Sequence, residues 1–114
     1  MLFRSVRVRH CAQARCIENH VYAVLSGCTG NLPQVRNADI HYAQSAVLTP
    51  ADVSFARDGI AAECEPNVET IVMQDLDLEL LRKHRYVGTT QNWSDRRKDL
   101  FSVRFADRKL GEIV

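Results

Sequence analysis

At 114 residues, with 15 Lys and Arg against 14 Asp and Glu and a formal net charge of +1, the chain has material for one modest core. An apolar share of 46% and a charged share of 25% are ordinary for a globular protein and argue against a disordered chain. The balanced charge excludes the electrostatic footprint of a general nucleic-acid or membrane-surface binder, and the longest apolar run, residues 21–25, is far too short to cross a bilayer. With no secretory apolar segment at the N-terminus, the expected location is cytoplasmic. Cys11, Cys16, Cys28 and Cys64 are then expected as thiols, mostly buried, rather than as disulfides.

Residues 1–5 show no continuity with the pattern that follows and are expected to be a cloning or sequencing scar. Residues 6–19 are good helix formers without Gly or Pro, and helical spacing clusters Val8, Cys11, Ala12 and Cys16 on one face. Arg15 falls on that stripe with Glu18 at i+3 and Asn19 at i+4, which predicts an ordered ion pair with an amide neighbour. The run 21–25 is β-rich, unbroken and ended by Ser26-Gly27, as expected of a central strand covered on both faces. A long connector over 28–42 follows, then a short strand over 45–49 stopped by Pro50. Asp58-Gly59, between Phe55-Ala56 and Ile60-Ala61, predicts a small hairpin, and 68–74 predicts a strand nearer an edge. Asp75-Leu76-Asp77 opens a helix that closes on the cationic run 82–85 and Gly88, with acids at its positive end and bases at its negative end. The order of elements indicates an α/β or α+β fold.

Cys28, directly after a predicted strand, could act as a nucleophile with His41 and Asp39 or Asp52. The adjacent Gly27 leaves the wrong spacing for a nucleophile elbow, and a buried thiol beside a glycine turn is the simpler expectation. Cys16 and His20, four apart, could share a metal with His10 or Cys11, yet no short Cys pair backs a zinc site, so no metal is expected. In Asp95-Arg96-Arg97-Lys98-Asp99 the acids offset much of the cationic charge, which favours a salt-bridged interface or solvated turn over phosphate binding. Phosphate loops and dinucleotide glycine fingerprints are absent, and the residues by themselves assemble no catalytic constellation.

Three stretches, in order and over nearly the whole chain, resemble the C-terminal part of the carbon-nitrogen hydrolase family, or nitrilase superfamily. The first is Ala14-Arg15-Cys16-Ile17-Glu18-Asn19 running into Val21-Tyr22-Ala23-Val24, similar to the family's Ala-Arg-Ala-Ile-Glu-Asn helix and buried strand. The second is Gln44-Ser45-Ala46-Val47-Leu48-Thr49-Pro50, similar to its Gly-x-Ser strand. The third is Asp75-Leu76-Asp77, then Arg85 and Gly88, then Asp95 to Phe101, similar to the closing Asp-Arg-Arg-x-Asp-Leu-Tyr. Asn31-Leu32-Pro33 and residues 55–60 look most like members in which the hydrolase follows an acetyltransferase-like domain. Cys16 stands where the family has alanine, Ala43 where it has glycine and Asp52 where it has glycine. The last two are expected to alter the backbone there.

The resemblance implies a four-layer αββα sandwich, of which residues 6–105 would be an incomplete C-terminal part and 106–114 a tail. It implies hydrolysis of a small-molecule amide or nitrile by a Glu-Lys-Cys triad, without a cofactor, in a homodimer. All three triad groups would lie upstream, so this chain alone is expected to be inactive. Arg15, Glu18, Asn19, Ser45, Arg96, Arg97 and Asp99 are assigned scaffold or interface roles. The competing expectation is a stand-alone interaction or dimerisation module without catalysis.

Overall fold

In a computed structural model of the chain, the residues described are 2–36, 41–102, 104–105 and 108–109. Helix α1, Leu2–Asn19, is followed by strand β1, Ala23–Leu25, strand β2, Ala46–Leu48, strand β3, Ile60–Glu63, and helix α2, Leu78–Val87. Two residue pairs near the C-terminus, β4 at Arg104–Phe105 and β5 at Arg108–Lys109, form a short antiparallel ribbon at the start of the expected tail.

The core is built on small side chains. Cys16, Ala46 and Leu48 are buried, with Ala12, Ala23, Leu25 and Ile60 packed against them. Alternation in β2 sends Ala46 and Leu48 to the face that meets α1, and the register pairs Leu48 with Ala23 and Ala46 with Leu25. Ala12 and Cys16, one helical turn apart, let the helix lie close on that face. Arg9, one turn further toward the N-terminus, carries the same face to an ion pair with Glu63 at the end of β3.

Several expectations are corrected. The helix begins at Leu2 rather than at residue 6. Its buried stripe passes through Ala12 and Cys16, whereas Val8 is 59% exposed and Cys11 is also exposed; Arg15, one residue before Cys16, is rotated off the stripe into solvent. The strand over 21–25 is not central. It shrinks to β1 and lies at one edge of a three-stranded antiparallel sheet ordered β1-β2-β3, with the fully buried β2 in the middle. Helix α1 covers only one face of that sheet, and on the other Val24 is left 66% exposed.

The Asp58-Gly59 turn is present, but Phe55-Ala56 forms no strand. Gly59 donates to the Ala56 carbonyl and accepts from Thr49 N–H, and β3 then pairs with β2 across a loop over 49–59. Gly59 has φ +73, a left-handed conformation natural to glycine. Residues 68–74 form no strand either: Ile71 and Met73, each 86% exposed, have no neighbouring strand to pair with or core to enter.

Helix α2 forms as expected. Asp77 caps its N-terminus, its carboxylate accepting from Leu80 N–H at 2.9 Å. Gly88 ends it with φ −67, so the glycine is needed there for space: a Cβ would stand 2.5 Å from the His84 carbonyl oxygen.

The radius of gyration is 17.8 Å, against about 13 Å for a compact domain of this length. Together with the apolar side chains left in water, this predicts that the isolated chain binds a hydrophobic dye and melts broadly. A sharp cooperative transition of a monomer, with near-ultraviolet circular dichroism lost in one step, would contradict this.

Candidate functional site

Arg15 meets Glu18 and Asn19 on the solvent side of α1, not on its apolar stripe. Arg15 Nη1 lies 2.8 Å from Glu18 Oε2, with the side chains 74% and 57% exposed, and Asn19 Nδ2 donates to the Arg15 carbonyl. An exposed pair of this kind contributes little to stability. Ser45 ties strands together: its hydroxyl accepts from Gly27 N–H, its carbonyl accepts from Cys64 N–H, and its own N–H donates to Cys64 Sγ.

Gly27 sits where a Cβ would fall 2.3 Å from Ala43 Cβ, so the buried Ala43 is tolerated only because its neighbour is glycine. Neither Ala43 nor Asp52 has the positive φ that only a glycine would adopt at little cost; among described non-glycine residues that conformation occurs at His20 and Asn67. Gly27→Ala is therefore expected to destabilise the strand end by about 1–3 kcal/mol. Ala43→Gly in the same chain should restore most of that in a denaturant titration.

In the closing segment Arg97 forms a two-armed pair with Asp99, at 2.9 and 2.6 Å, and Arg96 stacks on Trp93 at 3.6 Å. The Arg97 guanidinium holds the Asp99 carboxyl below its usual range. Both side chains are more than 60% exposed, so this is a solvated turn with no buried partner among the described residues.

The candidate nucleophile Cys28 is exposed and lines a cleft of about 410 Å³ with His41, Arg9, Val6, Val8 and Leu25. Asp39 lies outside the described residues. Asp52 is engaged elsewhere, so the alternative constellation on Cys28 does not assemble among the described residues, and the simpler expectation of a buried thiol is corrected as well, since Cys28 is exposed. The candidate metal group also fails. Cys16 is buried in the core, where loss of water pushes its thiol up and keeps it protonated, and no three His, Cys, Asp or Glu side chains among the described residues could hold a metal ion. His20 is buried at the end of α1 with φ 49, and its carbonyl accepts from Arg85 Nε at 2.9 Å. No described helix is long and apolar enough to cross a membrane.

The best-built polar cluster was not visible in the sequence. It joins the 49–59 loop to α2. His84 Nε2 lies 2.8 Å from Ser54 Oγ, and His84 Nδ1 lies 3.4 Å from Asp52 Oδ2, an ion-pair separation rather than an aligned hydrogen bond. Asp52 Oδ1 accepts from Val53 N–H at 2.7 Å and from Thr89 Oγ1 at 3.0 Å. Phe55 meets the imidazole edge-on at 5.0 Å and Tyr22 lies edge-on to Phe55 at 6.0 Å, while the Tyr22 hydroxyl donates to the Asp77 carbonyl. The Asp52 and His84 side chains are only 9% and 13% exposed. Thirty residues separate Ser54 from His84, and no spacing rule links them.

The Val53 N–H above all, then the Thr89 hydroxyl and the adjacent imidazole, hold the Asp52 carboxyl below its ordinary range. With the folded value below the unfolded one, this contribution is present at neutral pH and is lost as pH falls through the lowered value, below about 4. Asp52→Ala should lower amide-exchange protection of α2 about five- to thirtyfold at neutral pH, equivalent to about 1–2 kcal/mol, with the difference from the parent chain vanishing in acid.

No protein-family profile matches the chain, and no solved structure matches it. One curated protein does: the chain is 51% identical over 100 residues to the Probable hydrolase YhcX of Bacillus subtilis (strain 168). The match takes in 88% of this chain and 20% of that protein, so the chain spans about a fifth of the length of the relative it matches. It is similar, then, to a minor part of a protein named as a hydrolase.

Proposed function

We propose that this chain is the C-terminal part of a carbon-nitrogen hydrolase domain within a longer cytoplasmic protein that hydrolyses a small amide or nitrile. The observation that carries this is the 51% identity over 100 residues to a fifth of a protein named as a probable hydrolase. The order of the motifs over 14–24, 44–50 and 75–101 resembles that of carbon-nitrogen hydrolases and supports this bond as the one cleaved. In that chemistry a thiolate attacks the carbon, a carboxylate moves protons, an ammonium stabilises the developing charge and water releases the thioester. The Glu, Lys and Cys would come from residues upstream of the present helix α1, and no cofactor is needed.

The open side of the sheet supports the same reading. Val24, 66% exposed on the uncovered face, is an apolar group that a second sheet would cover in an αββα sandwich. Within that assembly Ser45 joins β1 to β2, and the solvent-facing Arg15–Glu18 and Arg97–Asp99 pairs are available to a second copy in a homodimer. An acetyltransferase-like domain ahead of the hydrolase belongs to the same proposal and rests on the 31–33 and 55–60 stretches.

The test uses the gene read in frame upstream of the Val6 codon. The 114-residue chain is expected to release no ammonia from a panel of aliphatic amides and nitriles. The longer product carrying Glu, Lys and Cys should release it, and replacing that Cys by Ala should lower kcat about a thousandfold or more. If a start site precedes Met1 directly and no such segment is present, the chain is a stand-alone interaction module and the hydrolase proposal fails.

A further inference from the structure

A serine, a histidine and an aspartate are brought into line at the junction of the 49–59 loop and α2. Ser54 Oγ is 2.8 Å from His84 Nε2, His84 Nδ1 faces Asp52 Oδ2 at 3.4 Å, and Asp52 Oδ1 is fixed by Val53 N–H and Thr89 Oγ1. A nucleophile within hydrogen-bond reach of a base, with the base itself oriented by a third group, is the arrangement that activates a serine. The parts differ in exposure in the way such chemistry requires. The carboxylate and imidazole are largely buried, whereas Ser54 is exposed and open to a substrate. His84 Nδ1 and Asp52 Oδ2 are each buried without a hydrogen-bond partner and face one another, so the tautomer with the proton on Nδ1 is the one that suits both. Nε2 is then left to accept from the Ser54 hydroxyl. Phe55, edge-on to the imidazole, limits ring rotation.

We propose that Ser54, His84 and Asp52 form a second reactive centre, separate from the carbon-nitrogen chemistry, that takes acyl groups from small activated carboxylic esters. Ser54 Oγ attacks the carbonyl carbon while its proton passes to His84 Nε2. The carbon–oxygen bond to the leaving alcohol breaks, and that alcohol departs with the proton from Nε2. Water then attacks the acyl-serine, its proton passing through Nε2 to Ser54 Oγ as the carboxylic acid leaves. Asp52 stays ionised throughout and draws closer to Nδ1 as the ring becomes cationic, since an unloaded site commonly holds such a contact long. This arrangement supplies nucleophile activation, a contribution of about 10²–10⁴-fold in rate, so esters with good leaving groups are the expected class and unactivated amides are not.

The full-length gene product is treated with an alkyl fluorophosphonate, and with p-nitrophenyl acetate in a parallel assay. The first probe reports attack by Ser54 Oγ on phosphorus with loss of fluoride. Peptide mapping by mass spectrometry should place the phosphonyl group on Ser54. Ser54→Ala, a change at an exposed side chain, should abolish that label and lower ester hydrolysis about 100-fold. His84→Gln should also abolish the label, which a merely structural hydrogen bond between Ser54 and His84 would not produce. The same mapping tells an acyl group on an upstream cysteine apart from one on Ser54. Label absent from Ser54 in native protein, or ester hydrolysis unchanged in Ser54→Ala, overturns the proposal. Failure of amide hydrolysis by the longer product would leave this result untouched and bear only on the carbon-nitrogen reading.

Discussion

The close approach of α1 to one face of the sheet is the contact on which the rest of the fold depends. It is made by side chains too small to hold the layers apart, Ala12 and Cys16 from the helix and Ala46 from β2, with Leu48 filling the remaining volume. Interiors pack to near-crystalline density, so a helix bearing larger residues at these positions would stand off and leave Leu48 in a void. That contact fixes where α1 ends. The left-handed turn at His20 then delivers β1 to the edge of the sheet, and the His20 carbonyl receives Arg85 from α2. The helix–sheet seam thus also positions α2, and with it His84.

The second determinant is the 49–59 loop. β2 leaves the sheet at Thr49, whose N–H is returned to the Gly59 carbonyl, and the residues between must cross the end of the sheet before β3 begins. A two-residue turn would have closed the hairpin directly and left no segment to reach α2. The longer connection carries Asp52, Ser54 and Phe55 outward as a group, where Ser54 Oγ meets His84 of α2 and Asp52 Oδ1 accepts from Thr89 and from the loop's own backbone. The candidate chemistry of this chain therefore sits on a loop held by two rigid elements, the usual place for reactive groups in a scaffold.

Charged pairs elsewhere have a different standing. Arg15 with Glu18, Arg82 with Glu79 and Arg97 with Asp99 are local in sequence and solvated, so they shape surface charge and offer contacts to a partner without deciding the fold. Arg9 with Glu63 is the exception, a pair that spans the first helix and the last sheet strand with the arginine side chain only 16% exposed. One face of the sheet is closed by α1 and the other leaves Val24 in water.

Local order was legible in the sequence wherever a residue acts on its own neighbours. Asp77 caps α2 because a carboxylate accepts the free N–H groups of a first turn, Gly88 stops it, Gly59 turns the chain, and Arg15 meets Glu18 because three residues bring side chains together on any helix. The order of motifs likewise carried the resemblance to a hydrolase family without reference to any fold. What the sequence could not decide is which apolar segment finds a neighbour. Residues 21–25 and 68–74 have similar strand-forming composition, yet the first became an edge strand and the second stays unpaired, because pairing depends on backbone partners remote in the chain. The burial of Asp52 and His84 beside Ser54 has the same origin. Thirty residues of intervening chain had to fold before those three side chains could meet, and only tertiary packing sets that distance.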